Sequence, residues 1–212
     1  MVTDRNLFVQ LQLELTNLPG ESAHLEMFPL RKVTSEALKA SVGHRISAVL
    51  ALIYFDTSSY QIILIERQDY DGNHSGQIGF PGGKKEMSDA SELAAALRET
   101  FEEIGIPENK ITILGKLTDV YIPVSNFLVH PFVGYLKKIP KYLIDAREVK
   151  SVLQFDLKEL LNEKNKIVTN VKIGNVNTLK NVPAFIANEK IIWGATALML
   201  NELKIILKRL NF

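Results

Sequence analysis

The chain has 212 residues, 46% of them apolar and 23% charged, which is long enough to bury a substantial core and fits one compact domain with a small extension. Lys plus Arg (25) nearly balances Asp plus Glu (24), so no global field draws the chain to nucleic acid or to an anionic membrane, and any anionic ligand must be held locally. There is no cysteine, which excludes disulfides, thiolate nucleophiles and Cys-based metal sites and fits a reducing compartment.

Met1 to Asn6 lacks the basic-then-apolar run of a signal peptide, and no apolar stretch approaches the length of a bilayer span. The expectation is a soluble, cytoplasmic protein with neither a membrane nor a nucleic-acid partner; a homodimer is compatible with the sequence. Residues 1–44 read as a helical and loop extension packed on a domain of residues 45–212. Phe8, Leu11 and Leu15 recur at helical spacing, Pro19-Gly20 breaks the pattern, and a second weak helix spans Ser35 to Val42.

Ala48 to Phe55 is a continuous apolar run rich in strand formers, and Tyr60 to Glu66 follows it after a polar turn, which predicts a hairpin inside a sheet. A helix is predicted from about Ala90 to Ile104. Asp89 with Glu92 forms a capping-box pattern at its start and Gly105 stands at its stop. Strand-like runs follow near Ile111 to Val120 and Leu128 to Leu136, then a polar stretch to Arg147, another apolar run, and a closing helix from about Ala195 to Leu210. Strands interrupted by helices indicate an α/β fold with a mixed sheet and helices on both faces.

On a helical wheel Ala90, Leu93, Ala94, Leu97, Phe101 and Ile104 fall on one side of the predicted helix, and Glu99, Glu102 and Glu103 gather on the other. At these spacings the carboxylates lie within several ångströms, where two unit charges ~5 Å apart repel by roughly 3 kcal/mol at an effective dielectric of 20. A bound Mg²⁺ or Mn²⁺ would turn that repulsion into attraction. An acidic triplet alone is more often a solvated face than a site. Here it is preceded by Gly76-Gln77-Ile78-Gly79-Phe80-Pro81-Gly82-Gly83, a glycine-rich loop able to bring backbone groups close to phosphate oxygens or a metal.

The run from Phe80 to Ile106 resembles the signature of the Nudix hydrolases: Gly, five residues, Glu, seven residues, then Arg-Glu-x-x-Glu-Glu-x-Gly. Gly83, Arg98, Glu99, Glu102, Glu103 and Gly105 match it. Asp89 stands where the first Glu is expected, with eight residues rather than seven before Arg98. The resemblance implies a Nudix-type α/β/α sandwich around a central mixed β-sheet. It implies Glu99, Glu102 and Glu103 as metal ligands, the Gly82 carbonyl as a further ligand, Mg²⁺ or Mn²⁺ as cofactor, Arg98 as the residue orienting a glutamate, and Glu148 as an acid supplied from a loop.

Upstream, Ile63 to Gly83 resembles the extra motif of the coenzyme A pyrophosphatase branch through Arg67, His74, Gly76, Gln77 and Phe80 to Gly83. Ile65, Gln68 and Gly72 depart from it. By that resemblance Arg67, His74, Gly76 and Phe80 bind substrate, and coenzyme A or a derivative would yield 3′,5′-ADP and 4′-phosphopantetheine; Lys84, next to the glycine loop, is a further candidate for holding the substrate's phosphates. The same metal site would serve ADP-ribose or another dinucleotide equally well. A non-catalytic nucleotide-binding module would show eroded carboxylates, and here the three glutamates are intact.

Overall fold

A strand that is apolar at nearly every position must bury both of its faces, and the run following Arg45 does so as far as Tyr54. In the computed structural model, which describes residues 4–39, 41–69, 76–173 and 177–212, this run is β1 (Arg45–Phe55). It lies at the centre of an eight-stranded mixed sheet. The C-terminal half of β1 pairs antiparallel with β2 (Tyr60–Arg67), forming the expected hairpin. Its N-terminal half pairs antiparallel with the short strand β4 (Gly82–Lys84). On the other side β1 runs parallel to β7 (Phe127–Leu136) through ten consecutive residue pairs. Around these, β3 (Ile78–Gly79) and β8 (Val149–Asp156) pair with β2, while β5 (Ile111–Lys116) and β6 (Val120–Ile122) pair with β7.

Alternation along β1 and β2 sends side chains into two cores. Ala51, Ile53, Ile62 and Leu64 point to one face, which is covered by the closing helix α6 (Gly194–Arg209). Leu50, Leu52, Tyr54, Ile63 and Ile65 point to the other, against the carboxylate-bearing helix α4 (Glu92–Ile104). This is an α/β/α arrangement about a mixed sheet. No helix among the described residues is long and apolar enough to cross a membrane.

The N-terminal helices α1 (Asp4–Glu14), α2 (Glu21–Met27) and α3 (Thr34–Lys39) lie on the α6 side, where Phe8, Leu11, Leu15 and Met27 enter the same core as α6. The second helical pattern, expected at Ser35 to Val42, starts one residue earlier and stops at Lys39. The run expected at Ile111 to Val120 is interrupted, since Leu117–Asp119 separate β5 from β6. A short helix α5 (Leu157–Leu161) follows β8. Then comes a second, antiparallel three-stranded sheet, β9 (Lys166–Ile173), β10 (Asn177–Ala187) and β11 (Lys190–Trp193), for which the chain carries no clean alternation.

The start of α4 differs from expectation. Ser91, not Asp89, is the N-cap, its hydroxyl accepting the Ala94 N–H, while Asp89 is drawn away by Arg98. The wheel is also rotated. Phe101 is 56% exposed, and Ala95, Ala96, Thr100 and Glu103 turn inward instead. Alanines at 95 and 96 let the helix approach the sheet closely, and the seam they form is where Glu103 is held.

α6 anchors the N-terminal helices through a buried carboxylate. Glu202 Oε1 accepts the Gly20 N–H at 3.1 Å and the Thr118 hydroxyl at 2.6 Å, and Oε2 accepts the Thr118 N–H at 3.0 Å. Beside it Asn201 donates to the Ala23 carbonyl at 2.8 Å. Replacing Glu202 with Leu would strand three donors away from water, so Glu202→Leu should lose about 2–4 kcal/mol of unfolding free energy, measured by urea denaturation.

Candidate metal centre

Three carboxylates from two separate parts of the chain converge beside β4. Single oxygens of Glu99, Glu103 and Glu148 all lie within 4.8 Å of one another. Glu99 and Glu103 are one turn apart on α4. Glu148 arrives from the loop before β8, and that loop is docked on the C-terminal end of α4. Leu143 N–H donates to the Ile104 carbonyl and Asp145 N–H to the Glu103 carbonyl, each at 3.0 Å, satisfying groups that a helix end leaves unpaired. Gly105, left-handed at φ 73°, closes the helix under Leu143; a Cβ there would sit 2.6 Å from the Leu143 Cβ.

Glu103 is 1% exposed. Its Oε2 accepts the Gly82 N–H at 2.7 Å, whereas Oε1 is buried with no hydrogen-bond partner, 3.4 Å from the Arg67 guanidinium. Burial pushes the carboxyl up to about 7, against the opposing pull of Arg67 and the Gly82 amide. Glu99 is raised too, again by burial first, with Glu102 and Glu148 adding repulsion to the pull of Arg98. An orphaned buried oxygen inside a cluster of hard oxygen donors is what a divalent cation such as Mg²⁺ or Mn²⁺ satisfies. The donor set therefore fits the metal that the sequence implies.

Two glycines make this approach feasible. Gly82 has φ 142°, and a Cβ on it would stand 2.3 Å from the Ala48 carbonyl oxygen; a Cβ on Gly83 would meet the Glu99 carboxylate at 2.4 Å. The Gly82 carbonyl accepts from Arg67 Nη2 at 2.8 Å, so Arg67 bridges the glycine turn and Glu103.

Arg98 organises the outer side of the helix. It makes a two-bond pair with Asp89 at 3.0 Å each, reaches Glu99 at 3.0 Å and Glu102 at 2.9 Å, and donates to the Lys84 carbonyl at 3.1 Å. These partners hold its charge more firmly than usual, and hold Asp89 below the ordinary carboxylate range. Asp89 thus acts as a clamp on Arg98. Glu102 faces outward onto Arg98 and is not a member of the three-oxygen cluster.

A cavity of about 830 Å³ opens beside the cluster, reaching Arg67, Gly82, Gly83 and Lys84 at one end. Phe80 borders it while remaining buried in the core. Gly76, in a turn with φ 63°, lies outside the cavity wall, and His74 falls outside the described residues. Lys85 is paired to Glu92 at 2.9 Å, and His130 to Asp119 at 3.0 Å. Trp193 lines the cavity rather than the core.

A model of the NUDIX domain matches residues 44–171. The chain belongs to the Nudix family. A Yersinia enterocolitica protein named uncharacterized Nudix hydrolase NudL is 31% identical over 142 residues, covering 67% of this chain and 71% of the relative. A protein of the same name from Escherichia coli K12 is 34% identical over 124 residues, covering 58% and 64% respectively. Among solved structures, a MutT/nudix family protein from Enterococcus faecalis aligns with a TM-score of 0.48 at 15% identity, over 90% of this chain and 72% of that one.

Two outcomes follow from this geometry. Because the folded state holds the Glu103 proton to about pH 7 against an ordinary 4.5, its contribution is fully present below about pH 4.5 and is lost as pH rises through 7. That loss is on the order of 3 kcal/mol. Thermal melts should therefore show the metal-free Nudix protein weakening across this window, and Mn²⁺ should raise the melting temperature more at pH 8 than at pH 5. Gly83→Ala, which pushes on Glu99, should weaken Mn²⁺ binding about tenfold in calorimetry while costing only about 1 kcal/mol of stability.

Proposed function

We propose that this Nudix protein hydrolyses the diphosphate bond of a nucleoside-diphosphate-linked small molecule with the help of Mg²⁺ or Mn²⁺, and that its substrate is coenzyme A or a derivative. The observation that carries the hydrolytic reading is the convergence of Glu99, Glu103 and Glu148 beside the Gly82–Gly83 turn. A divalent cation bound there supplies charge neutralisation for the diphosphate and eases the deprotonation of water.

The chain's own groups divide the remaining work. Glu103, fixed by the Gly82 amide, and Glu99, fixed by Arg98, are the preorganised anionic floor. Glu148 is the exposed member of the cluster, and we assign it the water proton: as the water oxygen bonds to one phosphorus, the bridging P–O bond breaks and the departing phosphate keeps that electron pair. Arg67, at the junction of cluster and cavity, is assigned to the substrate's phosphate charge, with Lys84 at the rim. Arg98 acts on Glu99 and Glu102 as a positioning residue.

The coenzyme A assignment rests on the motif running from Arg67 to Gly83 and on a cavity with room for an extended arm beyond the diphosphate. ADP-ribose is the competing substrate for the same centre. With Mn²⁺ present, coenzyme A should be converted to 3′,5′-ADP and 4′-phosphopantetheine, identified by mass spectrometry; cleavage of ADP-ribose with coenzyme A untouched would overturn the assignment. Glu103→Gln should lower turnover by about 10²–10⁴-fold. It keeps an acceptor for Gly82 and removes a buried charge, so the metal-free variant should melt no lower than the parent at pH 8. Undiminished hydrolysis would refute the centre.

A further inference from the structure

The family match ends at residue 171, yet one wall of the cavity comes from outside it. Phe28 contributes from just past the end of α2 and Ala37 from α3. Leu179 and Val182 contribute from β10, Trp193 from the end of β11, and Met199 from α6. Phe28 and Leu179 are 39% and 44% exposed, large apolar side chains left uncovered in a concave surface that leads to the carboxylate cluster. Apolar area of this kind in a cleft marks a ligand surface.

Three of the polar side chains in the wall are turned to internal partners. Thr196 donates to the Ile78 carbonyl at 3.1 Å and Arg31 to the Tyr121 carbonyl at 2.8 Å. Arg67 donates to the Gly82 carbonyl at the phosphate end. A purine or a sugar carries donors and acceptors around its edge and loses its hydrogen bonds to water on entry unless each is matched. An alkyl-like arm has none to lose and gains with every methylene covered.

We propose that the cavity takes an uncharged, predominantly apolar arm attached to the substrate's diphosphate, and that the segments flanking the matched domain share with the domain itself in reading that arm. The inference rests on the hydrolytic reading of the carboxylate centre. It assigns substrate choice to Phe28, Leu179 and their neighbours, which lie far along the chain from the residues doing the chemistry.

The test uses the full chain with Mn²⁺ and three substrates sharing one adenosine 5′-diphosphate half: its octyl ester, its methyl ester and ADP-ribose. Octyl should exceed both others in kcat/KM by at least about tenfold. Phe28→Gln and Leu179→Gln should each shrink the octyl-to-methyl ratio severalfold. Both sites are part-exposed, and thermal melts check that the variants fold; should either not fold, the parent's three-substrate series decides alone. Equal rates on octyl and methyl, or a preference for ADP-ribose, would sink the inference and leave the hydrolytic reading standing. Cleavage of none of the three nor of coenzyme A would sink both.

Discussion

Glu103 is a carboxylate buried where water cannot reach it, and its position constrains everything around it. One oxygen must take the Gly82 amide, and the other has only a distant guanidinium and two further carboxylates for company. That arrangement requires a backbone able to turn at φ 142° with no side chain, hence Gly82, and a neighbour without a Cβ to obstruct Glu99, hence Gly83. It also requires α4 to lie close on β1 and β4, which Ala95 and Ala96 permit. The cost of holding anionic oxygens together out of water is then offset by whatever positive charge the site receives.

The outer face of α4 solves a different problem with the same residue types. Arg98 has Asp89, Glu99 and Glu102 around it, so the one member of that set which also belongs to the cluster, Glu99, is oriented from behind. Eight residues separate Asp89 from Arg98 along the chain, and the ion pair still closes in two-bond geometry. Spacing along the chain is less restrictive here than spacing in the fold.

On the opposite side of the sheet, α6 holds the N-terminal helices through Glu202 and Asn201 and holds the cavity through Met199 and Thr196. One helix therefore connects the stability of the N-terminal helices to the shape of the cavity. This is how segments beyond the matched domain come to line the cavity beside the carboxylate cluster.

The hairpin of residues 48–66, the stop at Gly105, the glycine turn and the glutamates of α4 were legible in the chain, because turns, caps and short apolar runs are written in neighbouring residues. Local signals also misled. Asp89 reads as a cap until Arg98, nine residues away, competes for it, and Phe101 reads as core until the inward turn of Glu103 rotates the helix. Glu148 carries no local signature at all; its place depends on backbone amides 143 and 145 finding the end of α4. The second sheet, the burial of Glu202 and the cavity wall likewise depend on contacts between residues tens to more than a hundred positions apart. The sequence by itself determined which residue types are available for binding a cation and the family they signal. Tertiary structure alone decided which of those carboxylates meet and what surface faces them, because burial and convergence are set by packing between distant segments and by no periodicity within one.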